Sequence, residues 1–127
     1  MGSPDAFTSA YEEARRQWTR FEIPPEAYAA HAVARGHADA SSFEANAGDL
    51  YLALGCAMSL PQALQAFEQH YVPRAREALL RRGNAHTHVD EVLQMLRERL
   101  LVGRDGALPR IGEYDGRGPL TAWLRTA

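Results

Sequence analysis

The side chains best suited to chemistry in this 127-residue chain fall in its second half. Arg110, Tyr114, Arg117, Trp123 and Arg125 bring basic and aromatic groups into one short stretch. That is the mixture with which single-stranded DNA is held, guanidinium against phosphate and ring against base. A competing expectation puts Tyr114 and Trp123 in the core, which leaves Arg117 and Arg125 as the stronger DNA candidates. A second group, Asp90, Glu91, Gln94 and Glu98 with Met95 and Leu101 beside them, gathers on one side of an amphipathic helix. Read alone, it is an ordinary solvated face. His86, His88, Asp90 and His70 are metal-ligand types, but alternate positions at a helix start do not converge on one ion, and no cysteine pair supports them. The glycines of 103–118 follow no strand, so they make no phosphate loop, and no nucleophile or paired-carboxylate motif is present. These residues point to no enzyme, no metal and no cofactor.

The elements that must carry them are helical, since no alternating β pattern occurs. A first helix is expected over residues 5–21, with Phe7, Tyr11, Ala14 and Trp18 as its buried stripe and Pro24-Pro25 ending it. A second runs from Pro25 to about Arg35, with Gly36 as its stop. Residues 37–48 are small and polar and read as a linker. A third helix starts near Gly48-Asp49, and a fourth segment spans Pro61–Arg82 with a kink or break at Pro73. A fifth is capped by Thr87 with Asp90 three positions on, buries Val89, Val92, Leu93, Leu96 and Leu100, and ends at Gly103. Ile111 and Tyr114 are expected to anchor the glycine-rich stretch that follows. Pro119 opens a last helix through Trp123-Leu124, whose pattern is still running at Ala127 and reads as a helix cut short.

Composition limits the classes. Hydrophobic residues make up 46% and charged residues 24%, ordinary for a globular domain. The single cysteine, Cys56, forbids an internal disulfide, and no apolar run approaches the roughly 20 residues of a membrane span. A cytoplasmic protein without a membrane anchor is the expectation. All 14 basic residues are Arg, and the net charge is −2. Residues 1–66 carry four Arg against eight acids and residues 67–127 ten Arg against eight, so −4 and +2. That balance excludes a strongly basic DNA-coating protein but leaves room for a C-terminal half that touches nucleic acid beside a partner.

Three stretches, in order, carry a family resemblance. They are Phe67-Glu68-Gln69-His70-Tyr71-Val72-Pro73-Arg74 with Arg81 and Gly83; Val89-Asp90-Glu91-Val92-Leu93-Gln94 with Leu96 and Leu100; and Ile111-Gly112-Glu113-Tyr114, then Gly116-Arg117-Gly118-Pro119-Leu120 and Ala122-Trp123-Leu124. Together they resemble region 2 of bacterial sigma-70-family transcription initiation factors of the extracytoplasmic-function type, over about 49–127. The resemblance implies an all-α, compact orthogonal bundle of about five to six helices. The sigma-like domain would occupy 46–127 and an N-terminal helical extension 1–45. It implies that Asp90, Glu91, Gln94, Met95 and Glu98 dock on the β′ coiled coil of RNA polymerase core. It implies that Arg110, Tyr114, Arg117, Trp123 and Arg125 meet promoter DNA at the −10 element. The alternative is a sigma-like regulator or decoy that holds polymerase or an anti-sigma factor without touching DNA. The chain departs from the family in having Met95 where glutamate is usual, and in a longer glycine-rich loop. The −10-reading part of the family's melting helix corresponds to positions after Ala127, and residues 1–48 match no known pattern.

Overall fold

A computed structural model describes residues 4–103 and 106–126. Those residues are all helical apart from turns and loops: α1 (Thr8–Gln17), α2 (Pro25–Ala34), α3 (Ala47–Ala57), α4 (Pro61–His70), α5 (Val72–Arg81), α6 (His86–Leu101) and α7 (Leu120–Thr126). Short 3-10 turns precede α1 at Pro4–Phe7 and α7 at Arg110–Glu113, and two more lie at Ala40–Ser42 and Glu44–Asn46. None of the described helices is long and apolar enough to cross a membrane. Arg104, Asp105 and the chain end at Ala127 lie outside the described residues.

The centre of the fold is α3, which is buried on every side except at Asp49. Its sequence, AGDLYLALGCA, is apolar all round, as a helix surrounded by others must be. Gly55 lets α4 and the α1–α2 connection approach it: a Cβ there would lie 2.8 Å from Ala63 Cβ and 2.8 Å from Phe21 Cε2.

Residues on both sides of position 46 share one core. Phe7, Tyr11, Ala14, Trp18, Ile23, Tyr28 and Phe43 are buried in the same cluster as Tyr51, Phe67, Leu93 and Ile111. Buried polar groups tie the two parts as well. The Tyr28 hydroxyl donates to the Ala47 carbonyl (3.1 Å), Trp18 Nε1 to the Gly48 carbonyl (2.9 Å), and the Ile23 N–H to the Tyr51 hydroxyl (3.0 Å).

Several local expectations shift. The first α-helix is shorter than 5–21: a 3-10 turn fills its start, and Trp18 is already the C-cap, although all four stripe residues are buried. The 37–48 stretch is not a free linker, because Phe43, Ala40 and His37 are buried. The Pro61–Arg82 segment breaks at Tyr71, which is both the C-cap of α4 and the N-cap of α5, two residues before Pro73 in the first turn of α5. The N-cap of α6 is Ala85, two residues before the expected Thr87, and Thr87 makes no side-chain capping bond among the described residues.

Candidate functional site

One stripe of α6 faces inward: Val89, Leu93 and Leu100 are buried, with Leu96 and Leu101 partly so against the core. The expectation that Leu101 lies on the outer face is therefore corrected, since its side chain serves the core edge. The outer stripe is solvent-facing. Glu91, Gln94, Met95 and Glu98 are all exposed, and Val102 at the C-cap extends the row. Glu91, Met95, Glu98 and Val102 follow at steps of four, three and four, the spacing of one helix face. Met95 is 58% exposed and Val102 55%, so the row alternates acidic and apolar groups. Glu91 has no ion-pair partner among the described residues, whereas Glu98 accepts a long bond from Gln94 Nε2 (3.4 Å).

Asp90 stands apart from this row. Its carboxylate pairs with Arg76 of α5 at 2.6 Å, which ties α6 to its neighbour. Arg97 does the same toward α4, gripping Glu68 with Nε at 2.7 Å and Nη2 at 2.8 Å. Both bridges lie at the surface and supplement the buried stripe of Val89, Leu93 and Leu100 that seats α6.

The 110–125 residues come together less than their spacing suggests. Arg110 and Arg125 are exposed, and neither makes a side-chain hydrogen bond or ion pair among the described residues. Arg117 is exposed but engaged: it reaches the Asp115 carboxylate (3.3 Å) and the Arg35 and Gly36 carbonyls (both 3.4 Å) at the C-terminus of α2. Tyr114 is 1% exposed, and its hydroxyl donates to the Gly118 carbonyl at 2.5 Å. Burial above all, and then the Asp49 carboxylate, push that hydroxyl's pKa up. Tyr114 is thus a core residue, which corrects its place among the DNA-contacting candidates. Trp123 is half-buried, edge-on to the Tyr114 ring at 5.9 Å.

The groups that position this segment carried no sequence signal. Asp49 on α3 accepts from the Tyr71 hydroxyl (2.6 Å) and from the Leu120 N–H (2.9 Å), so one carboxylate joins the α4–α5 break to the first turn of α7. His37 is 3% exposed, with Nδ1 2.6 Å from Ser42 Oγ and Nε2 2.5 Å from the Asp115 carbonyl. Asn46 Nδ2 donates to the Gly116 carbonyl at 3.0 Å. Gly116 has φ +79, which a side chain rarely adopts, and a Cβ there would meet Phe43 Cβ at 3.1 Å. The 37–46 segment therefore clasps the loop that leads into α7.

Among the described residues no group of three or more His, Cys, Asp or Glu could hold a metal ion. Cys56 is fully buried, and burial pushes its thiol up to about 12. No protein family, curated protein or solved structure matches this chain.

Proposed function

We propose that the chain is a sigma-70-family region 2 module whose α6 docks on the β′ coiled coil of bacterial RNA polymerase. The observation that carries this reading is the exposed row Glu91–Met95–Glu98–Val102 with Gln94 beside it. A coiled coil offers a helical partner surface, and a row with helical spacing can lie along it, apolar groups in contact and carboxylates toward basic side chains. Met95 and Val102 give such a contact an apolar centre that a merely wetted face would lack.

A second reading is favoured by one specific observation: ten of the eleven aromatic residues are buried, and the eleventh, Trp123, is half-buried against Tyr114. Base stacking needs an open ring face. That supports a sigma-like module that holds polymerase or an anti-sigma protein and does not itself read DNA. Under the first reading, DNA contact by these residues rests on Arg110, Arg117 and Arg125 acting on phosphates.

The test is a titration of the whole chain against the isolated β′ coiled-coil fragment. Saturable binding is expected, weakened about five- to tenfold by Glu91→Ala, Gln94→Ala or Met95→Ala, and unchanged by Glu13→Ala on α1. No saturable binding by the folded chain, or equal loss in the Glu13 variant, refutes the docking face.

A further inference from the structure

A cleft of about 400 Å³ opens where the C-terminal end of α1, the α4–α5 break and the start of α7 meet around Asp49. Arg20, from the α1–α2 connection, and Arg74, in the first turn of α5, both line it. Neither is committed to a carboxylate among the described residues. Arg20 bonds only the neutral Gln69 side chain (2.9 Å), and Arg74 rests over the Tyr71 ring at 5.7 Å. Unlike the exposed Arg81, Arg82, Arg99, Arg110 and Arg125, which also form no ion pair among the described residues, these two line a common cleft. The one acid in the lining, Asp49, has both oxygens occupied by the Tyr71 hydroxyl and the Leu120 N–H. The hydroxyls of Thr19 and Thr121 and the ring of His70 complete a polar rim.

We propose that this cleft binds a phosphate group, held between the Arg20 and Arg74 guanidiniums. The forked donors of arginine match phosphate oxygens, and two of them from separate elements can close on one anion. A space of this size admits a phosphate with a sugar attached. The group comes either from a small phosphate compound or from a nucleic-acid backbone lying beside the start of α7. The cleft shares no residue with the outer face of α6, so a failed coiled-coil titration leaves this test intact.

The experiment is calorimetric titration of the full chain with inorganic phosphate, with sodium chloride of matched ionic strength as reference. A mononucleotide and a short single-stranded oligonucleotide follow. Saturable phosphate binding is expected, weakened on the order of tenfold by Arg20→Gln or Arg74→Gln. Arg81→Gln, an exposed site on α5 outside the cleft, is expected to leave binding unchanged. Both target residues are exposed, and a matched unfolding midpoint establishes that each variant is folded. Tighter oligonucleotide binding with the same dependence on Arg20 and Arg74 assigns the phosphate to a nucleic acid, and no gain over inorganic phosphate assigns it to a small compound. The proposal is overturned if phosphate does no more than chloride, if the double variant binds as the parent does, or if Arg81→Gln loses as much.

Discussion

Removing the Asp49 carboxylate should loosen α7 before it loosens anything else. The carboxylate accepts two donors, the Tyr71 hydroxyl at 2.6 Å and the Leu120 N–H at 2.9 Å. Tyr71 is 6% exposed, so water does not readily replace the lost acceptor, and an orphaned buried donor costs about 1–3 kcal/mol. The Leu120 N–H is one of the unsatisfied donors at a helix start, where a carboxylate adds a dipole contribution of about 0.5 kcal/mol. Asp49→Ala loses both contacts and should cost about 3 kcal/mol, roughly a 10 °C fall in Tm for a domain of this size. Asp49→Asn keeps an acceptor for Leu120, and its amide can donate to a rotated Tyr71 hydroxyl, so its cost is about 1 kcal/mol. Tyr71→Phe removes one donor and leaves the Leu120 bond in place. Urea unfolding at constant m gives the three costs, and amide exchange over 120–124 gives the local effect. The expected order is Ala, then Asn, with α7 exchange accelerated by Asp49→Ala and little changed by Tyr71→Phe. An Asp49→Ala cost under about 0.5 kcal/mol, or equal acceleration in Tyr71→Phe, refutes the idea that this carboxylate seats α7.

Three other outcomes follow from the packing. A chain truncated to 46–127 should fail to fold cooperatively, because it strips Tyr11, Trp18, Phe21, Ile23 and Tyr28 from around α3; a sharp urea transition in the truncated chain would contradict this. Burial, then the charges of Arg35 and His37, lower the His31 pKa from 6.5 to about 4, and its Nε2 has no hydrogen-bond partner among the described residues. Between those values the unfolded chain takes a proton that the folded chain refuses, so stability falls as pH drops from about 6.5 to about 4, by at most about 3 kcal/mol and less for a ring that is only partly buried. His31→Leu should flatten that part of the pH profile, and parallel curves for the two proteins would rule it out. Gly55→Ala should destabilise, since Ala63 and the rigid Phe21 ring must give way and overpacking of about 1–3 kcal/mol exceeds the helix-propensity gain of about 1. Gly48→Ala should be close to neutral, its clash being with the flexible end of Gln17; thermal melts of the pair showing the reverse order would overturn the close-approach argument.

The helices were legible because their signals are local. Pro25 and Gly36 bracket α2, Pro61 opens α4, and Pro73 marks the α4–α5 break, each acting through its own backbone. The buried stripe of α6 follows from periodicity alone, and so does the exposure of Glu91, Gln94 and Met95 on the opposite side. Periodicity could not tell which exposed charge was already spent: Asp90 is held by Arg76, fourteen residues back by the numbering and on another helix. Nor could it separate Tyr114, a core ring, from a ring open to a base, because a loop has no period.

The contacts that aim the C-terminal segment were hidden for a different reason. Asp49 meets Leu120 across a separation of 71 residues, His37 meets the Asp115 carbonyl across 78, and Asn46 meets the Gly116 carbonyl across 70. Each joins a side chain to a backbone group, so the partner position carries no residue type to betray the pairing. The composition that makes 37–48 look like a linker also suits it to this work. Small residues let the chain lie close to the glycine-rich loop, and His37, held by Ser42, and Asn46 satisfy carbonyls that the loop's irregular backbone leaves open. A segment of this kind in contact with a glycine loop holds that loop more rigidly than the loop's own sequence can. The orientation of α7, and with it Arg125 and the rim of the phosphate cleft at Thr121, is thus set by residues from the acidic first half of the chain.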